Sequence, residues 1–459
     1  MGKLAASFEA QMKKVNKGKT IANTNGTVMY STGFQNLDYL NAYWVHVNVD
    51  GKDYKYLLKG MPDGKPIELI GRAHTGKTSL AIQIAANIVR PFENGMIFHD
   101  DVEGGTNDRR YEVLTGFSEE ELAERYKYRD ASEGITVESF YKRFKMLRDI
   151  KIAHKEEFMY DTGFYNIYGE RIYKLVPTVY ILDSIPMLMP DDVLEDDGLG
   201  TNMTGASITR SMTAVFKRVV QMGMEANIIL LSINHIMDDV QVGPFQKKPK
   251  ISGLKPGERL PGGTVNGYLC NTLIRVDDGP KLKPEEAFGI DGFIGSLQTV
   301  KSRASGSLKT APMIFDKNRG WNNELSMFQL IKANDRLHGA GSYLYLGDRD
   351  DIKFSQRTFL STLHDNPSLM LTLAQETLPI LQEYVEPYQD TVYKSESNDI
   401  NSIIDKLSRG ETVDIGDAPE TPPHERKKKS KKEDNNPLGV LGDIHTISEA
   451  NLESENDDE

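Results

Sequence analysis

The fold of this chain is decided by one short stretch, Gly71-Arg72-Ala73-His74-Thr75-Gly76-Lys77-Thr78. It matches the pattern G-x-x-x-x-G-K-[ST] in full, and it lies between an apolar run, 66–70, and a helical pattern, 79–89. In such a unit the glycines let backbone N–H groups turn inward around an anion, and the helix N-terminus adds partial positive charge. The stretch therefore predicts a phosphate-binding loop that joins a strand to a helix.

This loop predicts contacts to ATP and Mg²⁺. The ammonium group of Lys77 is expected to reach the β- and γ-phosphates, and the hydroxyl of Thr78 is expected to bind Mg²⁺. The predicted nucleotide-binding set is Gly71, Arg72, Ala73, His74, Thr75, Gly76, Lys77, Thr78 and Ser79.

Short apolar runs alternate with helical stretches on both sides of the loop. Strand candidates start at residues 66, 96, 178, 227, 273 and 297, and helical candidates span 79–89, 118–158 and 205–225. This alternation is typical of an α/β domain with a mostly parallel central sheet flanked by helices.

Acidic residues follow two of the predicted strands. Asp183 ends an apolar run and is expected to hold Mg²⁺ together with Thr78. Asp100, Asp101 and Glu103 lie at the carboxyl end of another strand, the edge at which open α/β sheets bind ligands. One of these three acids is expected to orient or activate a water molecule, and position alone does not choose among them.

Composition excludes several classes of protein. Among 459 residues no stretch approaches 18 uninterrupted apolar residues, so we expect no membrane span. The first residues lack the apolar core of a secretory signal. Cys270 is the only cysteine, which excludes intramolecular disulfides and fits a reducing cytoplasm.

The two ends differ from the middle. Leu4, Phe8 and Met12 recur every four residues and share one helical face, which either packs on its own domain or docks onto a neighbour. Residues 411–459 carry 14 acidic and 6 basic residues, a net −8 of the total −12. They bury too little apolar surface to offset their ordering entropy, so we expect disorder there.

Several blocks, taken together, resemble the RecA family of recombinases, particularly its bacteriophage UvsX-type members. The blocks are Ser31-Thr32-Gly33 with Leu37-Asp38, the lead from Gly60 to Glu68, the phosphate-binding loop, Asp101-Val102-Glu103, Leu182-Asp183-Ser184 and Leu231 to Ile236. The resemblance implies a RecA-like P-loop ATPase core over about 31–335. It also selects Glu103 as the residue that activates the attacking water.

The resemblance assigns three more residues to the γ-phosphate. His235 stands where the family has a glutamine that senses this phosphate, and its ring can donate the same hydrogen bond. Lys301 and Arg303 resemble a basic pair that crosses a filament interface to the neighbour's nucleotide. The implied catalytic set is Lys77, Glu103, His235, Lys301 and Arg303.

Two loops stand where the family binds DNA. Loop 236–263 is basic and ends on two glycines, whereas loop 190–206 is acid-rich, so Arg210 just beyond it is the better candidate for a phosphate contact. The implied DNA-binding set is Arg210, Phe245, Lys247, Lys248, Lys250, Arg259, Gly262 and Gly263. Adenine recognition stays open among Asn107, Arg110 and Tyr111.

The predicted organisation is a subunit-contact segment (1–30), the ATPase core with its DNA loops (31–335), a small helical region (336–410) and a disordered charged tail (411–459); the resemblance covers only the core. The basic run 426–432 departs from the family pattern; DNA, a partner and the acidic end itself are all possible ligands.

The resemblance implies an ATP-dependent recombinase that forms a helical filament on single-stranded DNA and pairs it with homologous duplex DNA. Its compartment would be the cytoplasm, that of a bacterial host if the chain is phage-encoded. Loader or single-strand-binding proteins are conceivable further partners. Two alternatives stay open: a ring helicase with the same core, and an ATP-binding DNA filament or mediator with little turnover.

Overall fold

The computed structural model describes residues 26–105, 108–195, 202–238, 251, 253–261, 265–285, 287–306, 308–385 and 408–409. The chain divides into two units, Met1–Pro387 and Tyr388–Glu459, and the helices and strands between residues 29 and 383 belong to the first. Of the segment predicted at 1–30, residues 1–25 lie outside the described residues, and the tail predicted at 411–459 lies outside them as a whole.

The described residues contain both helices and strands, with runs of consecutive strands near each end of the sheet-forming region. The first half of the unit contains β1 (Met29–Tyr30), α1 (Gln35–Leu40), β2 (Tyr43–Val49), β3 (Lys52–Leu58), β4 (Met61–Pro62), β5 (Ile67–Gly71), α2 (Lys77–Val89), β6 (Met96–Asp101), α3 (Asp108–Thr115), α4 (Glu119–Arg125), β7 (Tyr126–Asp130), α5 (Val137–Ala153), α6 (Lys155–Phe158), β8 (Met159–Tyr165), β9 (Arg171–Leu175) and β10 (Thr178–Asp183). The second half contains α7 (Asp191–Glu195), α8 (Asn202–Ala226), β11 (Ile228–His235), β12 (Met237–Asp238), β13 (Glu258–Arg259), α9 (Val265–Leu269), β14 (Thr272–Asp277), β15 (Lys281–Leu282), β16 (Gly292–Ser302), β17 (Lys309–Asp316), β18 (Gly320–Asn322), α10 (Asn323–Ala333), α11 (Phe359–Asp365) and α12 (Leu369–Glu383).

Within the described residues a central sheet has ten strands, in the order β18-β17-β16-β14-β5-β11-β10-β6-β7, with β15 beside β16. The strands from β14 to β7 pair in parallel. The strands β15 to β18 extend one side by antiparallel pairing. The chain is therefore an α/β protein with a large, mostly parallel central sheet, as its sequence predicts.

Alternate residues of the central strands pack on opposite faces of the sheet. In β10, Val179 and Ile181 belong to the cluster that contains α2, whereas Tyr180 and Leu182 belong to the cluster that contains α5 and α8. Strands covered by helices on both faces become uninterrupted apolar runs, and every residue of β5 and β10 is buried. The residues of the candidate site lie at the carboxyl ends of these buried strands.

The segment 118–158, predicted as helical, contains a strand. It forms α4, then β7 paired in parallel with β6, then α5. Tyr126 and Tyr128 alternate along β7 and contact the ring of His99 on β6. Cross-strand aromatic packing at the sheet edge therefore outweighs the helical period of the surrounding charges.

Two β-hairpins and a group of helices lie outside the central sheet. The hairpins β2–β3 and β8–β9 pack together, with the hydroxyl of Tyr56 donating to the carbonyl oxygen of Tyr165 at 2.5 Å. Helices α10 to α12 share a separate core that contains Phe328, Phe354 and Phe359. None of the helices in the described residues is long and apolar enough to cross a membrane.

Cys270 lies beside the start of β14 and is 3% exposed. Its thiol donates to the carbonyl oxygen of Gly267 at 3.2 Å, and burial raises the pKa of this thiol to about 12. The side chain therefore belongs to the core.

Candidate functional site

The glycine-rich loop connects β5 directly to α2. Gly71 ends β5, and a Cβ atom there would lie 2.4 Å from the carbonyl oxygen of Val276, so only glycine fits. Gly76 precedes α2 with φ +79°, in the left-handed region that favours glycine. The hydroxyl of Thr75 donates to the carbonyl oxygen of Arg72 at 3.0 Å and closes the loop. Each glycine of the motif is therefore required for a different reason: Gly71 because a Cβ atom has no room, and Gly76 because its backbone is left-handed.

Three predicted residues meet where the loop enters α2. The hydroxyl of Thr78 donates to Oδ2 of Asp183 at 2.6 Å, joining the start of α2 to the end of β10. The ammonium group of Lys77 donates to the carbonyl oxygen of Arg72 at 2.6 Å. The peptide bond between Asp183 and Ser184 is cis. The hydroxyl and carboxylate predicted to share Mg²⁺ are therefore adjacent.

Burial shifts the pKa values of Asp183 and Lys77. It raises the pKa of Asp183 to about 7, against the hydrogen bond from Thr78, and the nearby charges of Glu103 and Asp101 raise it further. Burial also lowers the pKa of Lys77 to about 8, against the attraction of Asp183 and Glu103. A dry carboxylate beside the N-terminus of a helix suits a bound cation together with an anion.

The three candidate acids after β6 have different surroundings. The side chain of Asp100 is fully buried, and it accepts hydrogen bonds from Arg129, Arg143 and Tyr180. Asp101 is also buried and accepts from the backbone N–H of Gly104. The side chain of Glu103 is 40% exposed. Of the three, Glu103 therefore has the carboxylate that a ligand can reach.

Two side chains hold the carboxylate of Glu103. The hydroxyl of Ser184 donates to its Oε1 at 2.5 Å, and Nε2 of His235 lies 2.9 Å from the same atom. The hydrogen bond with His235 is the main cause that lowers the pKa of Glu103 to about 2, with partial burial opposing it. The structure thus brings the predicted base and the predicted sensor into direct contact.

The segment after β11 is attached to the glycine-rich loop. The N–H of Ile236 donates to the carbonyl oxygen of Gly71 at 3.0 Å. The Arg72 guanidinium pairs with Asp238 at 2.7 Å and lowers the pKa of that carboxyl. No sequence signal predicts this pair, because the two residues are 166 positions apart and Arg72 occupies a position of the loop motif that any residue type can fill.

Lys301 and Arg303 lie at the other end of the sheet. Lys301 pairs with Leu273 near the start of β14, and that start lies beside Ile67, where β5 begins. The glycine-rich loop follows the opposite end of β5. The Lys301 ammonium donates to the carbonyl oxygen of Tyr268 at 2.8 Å, and the Arg303 guanidinium to the same atom at 3.0 Å. The structure therefore does not bring this pair into the site of its own chain.

One residue of the predicted DNA-binding set lies in a basic groove on α8. The groove, of about 720 Å³, is lined by Thr209, Arg210, Thr213, Ala214, Lys217 and Arg218. Sequence reasoning missed Lys217 and Arg218, although their spacing from Arg210 places all three on one helical face. The remaining candidates are distributed as follows: Arg259 lies in β13, and Phe245, Lys247, Lys248, Lys250, Gly262 and Gly263 lie outside the described residues.

The adenine candidates differ in accessibility. Tyr111 is buried among aromatic rings, and Asn107 lies outside the described residues. Arg110 donates to the carbonyl oxygen of Asn318 at 2.8 Å and to the hydroxyl of Ser79 at 3.2 Å. The indole N–H of Trp321, which sequence reasoning also missed, donates to the carbonyl oxygen of Gly76 at 3.0 Å.

Within the described residues, no group of three or more His, Cys, Asp or Glu side chains is arranged to hold a metal ion. A hydroxyl with one carboxylate instead suits Mg²⁺, which keeps waters and binds substrate phosphates for its other ligands. No protein-family model matches this chain, and no curated protein matches it.

Proposed function

We propose that this protein is an ATP-dependent DNA recombinase with a RecA-like core of the UvsX type. It would form a filament on single-stranded DNA in the cytoplasm and catalyse homologous pairing and strand exchange. The observation that carries the proposal is the hydrogen bond of 2.6 Å between Thr78 and Asp183, directly after a glycine-rich loop. That bond joins a hydroxyl at the start of α2 to a carboxylate at the end of β10, and Lys77 directly precedes Thr78 in the chain.

The loop and α2 would bind the triphosphate of ATP. Backbone N–H groups of the loop and the ammonium of Lys77 would hold the phosphates, while Thr78 and Asp183 would hold Mg²⁺. Bound Mg²⁺ would supply positive charge to the phosphate oxygens. The burial of Asp183, which is 3% exposed, supports this role, because a bound cation would offset the cost of burying its charge.

Glu103 would orient and activate the attacking water. With a pKa near 2, it is ionised at neutral pH but is a weak base while His235 is hydrogen-bonded to it. If His235 turned to the γ-phosphate, Glu103 would lose that bond, its pKa would rise and it would become a better base. Recognition of ATP and activation of water would then be linked through one histidine.

DNA would be held by the basic groove on α8 together with the predicted loop 236–263. Arg210, Lys217 and Arg218 can neutralise successive phosphates of a single strand, because a cationic helix face tracks a backbone without reading its bases. Sequence recognition would then come from base pairing with the homologous duplex.

A second candidate is an ATP-binding DNA filament or mediator with little turnover. It is favoured by the double engagement of Glu103, whose Oε1 is held by both Ser184 and His235. If those bonds persist when ATP is bound, the carboxylate has little freedom to accept a proton from water.

Strand exchange with ATP and Mg²⁺ tests the proposal. A labelled single strand is offered a homologous duplex and, separately, a heterologous duplex. Product from the homologous duplex alone supports a recombinase, whereas strand separation of both duplexes supports the ring helicase. ATP-dependent binding of single strands without either product, and without phosphate release, supports the mediator.

A further inference from the structure

We propose that Arg72 and Asp238 form a positioning pair that holds the segment carrying His235 against the glycine-rich loop. The inference rests on the proposed function, because it assigns these residues a role in ATP hydrolysis. Neither residue would act on the reacting atoms; each would act through the placement of His235.

Two contacts fasten this segment to the loop. The Arg72 guanidinium reaches both carboxylate oxygens of Asp238, with Nη2–Oδ1 at 2.7 Å and Nη1–Oδ2 at 3.4 Å. The N–H of Ile236 donates to the carbonyl oxygen of Gly71 at 3.0 Å. Since His235 directly precedes Ile236, the backbone that carries its ring is held from the C-terminal side. The bidentate geometry sets direction as well as distance.

Arg72 also contacts the other half of the site. Its carbonyl oxygen accepts the hydrogen bond of 2.6 Å from the ammonium of Lys77. A bound phosphate competes with this carbonyl for the same ammonium, so phosphate binding changes the bonding of Arg72 itself. One residue thus connects the proposed phosphate lysine to the proposed sensor, which in turn holds Glu103 at 2.9 Å.

Breaking the pair should leave the fold intact. Asp238 pairs with Glu258 in the β12–β13 ribbon, and Glu258 is anchored separately by a buried ion pair with Arg275 at 2.6 Å. The side chains of Arg72 and Asp238 are 53% and 70% exposed, so their loss buries no unpaired charge. The effect of a substitution should therefore appear in catalysis rather than in stability.

The test is a double-mutant cycle on the full-length protein, with phosphate release from ATP in the presence of single-stranded DNA as the measurement. Exposed ion pairs contribute little, so Arg72→Ala and Asp238→Ala should each lower kcat about three- to fivefold, with KM for ATP within about twofold. Because the residues act as one unit, the double variant should be no slower than either single variant. Arg349→Ala, which breaks an exposed pair with Asp351, is the matched control and should keep wild-type kcat.

Other outcomes overturn the inference. Wild-type kcat in either single variant would show that the pair positions nothing. Losses that multiply in the double variant would show independent roles. A raised KM for Arg72→Ala alone would assign Arg72 to direct phosphate contact. If the wild-type protein releases no phosphate from ATP, the proposed function itself fails, and the positioning role falls with it.

Discussion

At the scale of single residues, surroundings separate side chains that sequence treats alike. Asp100, Asp101 and Glu103 lie within four positions. The first two are buried and accept hydrogen bonds, whereas the side chain of Glu103 is partly exposed to solvent. Charge type and strand position are therefore insufficient to identify a water-activating acid. Accessibility and hydrogen-bond partners decide it.

Replacing Glu103 by glutamine should abolish turnover without abolishing nucleotide binding. Glutamine keeps the shape and can still accept from Ser184, but it cannot take a proton, so phosphate release should fall about 10²- to 10⁴-fold. Phosphate release and binding of a fluorescent ATP analogue measure the two effects. Near-normal turnover would assign water activation to another group.

Asp183 should make stability depend on pH. Its pKa is about 7 in the folded chain, above the ordinary value near 3.9, so the unfolded chain loses its proton first as pH rises. The contribution of Asp183 to the free energy of unfolding should therefore fall between about pH 4 and pH 7, by roughly 4 kcal/mol at most. Asp183→Asn cannot titrate, so it should gain stability relative to wild type across this range. Thermal unfolding at several pH values without divalent cations is the measurement; a constant difference would contradict the argument.

At the scale of elements, one buried carboxylate joins four of them. Asp100 on β6 accepts from Arg129 on β7, Arg143 on α5 and Tyr180 on β10. This network explains how a strand as charged as β7 stays paired at the sheet edge. Its members are far apart in sequence, so no local pattern predicted it.

Asp100→Asn should destabilise the protein strongly. Removing the charge leaves two arginines, only 14% and 15% exposed, without a counterion, which costs about 3–5 kcal/mol. Asp161→Asn breaks an exposed pair with Arg171 and should cost under about 1 kcal/mol. Urea unfolding compares the two variants, and equal midpoints would refute the network.

The basic face of α8 predicts a salt-dependent contact. Lys217→Ala and Arg218→Ala should each weaken binding to single-stranded DNA and reduce the slope of log affinity against log salt by about one unit or less. Lys145→Ala, on the exposed face of α5, is the control and should change neither. Fluorescence anisotropy between 50 and 200 mM salt measures the slope, and unchanged slopes would remove α8 from the DNA site.

Much of the central sheet was predictable, because buried parallel strands and their helices leave strong patterns. The predicted runs at 178–182, 227–233 and 273–276 are strands β10, β11 and β14, and the predicted helices at 79–89 and 205–225 are α2 and α8. The proximity of Thr78 and Asp183 was also predictable, from the loop motif and from the position of Asp183 at the end of an apolar run. The strand β7 and the Arg72–Asp238 pair were not predictable, because both depend on residues that are far away in sequence and come close only in the folded chain.

At the scale of the whole molecule, the opposite placement of Lys301 and Glu103 bears on assembly. Glu103 follows the carboxyl end of β6, on the side of the sheet where the glycine-rich loop lies. Lys301 lies beside the start of β14, on the opposite side of the sheet. If both act on one nucleotide, they must come from two copies of the chain. A head-to-tail arrangement satisfies this requirement and generates a helical filament when it does not close into a ring.

Mixing two inactive variants should then restore activity. Lys77→Ala inactivates its own nucleotide site, and the double variant Lys301→Ala/Arg303→Ala inactivates a neighbour's site. In a one-to-one mixture, about a quarter of head-to-tail interfaces combine two intact halves, so phosphate release should reach about a quarter of the wild-type rate. Each variant alone is the control. A mixture as inactive as its components would place Lys301 and Arg303 outside catalysis.

The buried thiol of Cys270 makes this chain convenient for single-molecule work. Maleimide dyes attack thiolates, and a thiol with a pKa of about 12 that is 3% exposed presents almost none. A cysteine introduced at an exposed position such as Lys52 or Lys145 should therefore take up one dye in the otherwise native protein. Fluorescence energy transfer between two such labels could then follow the growth of an assembly without removing any natural residue.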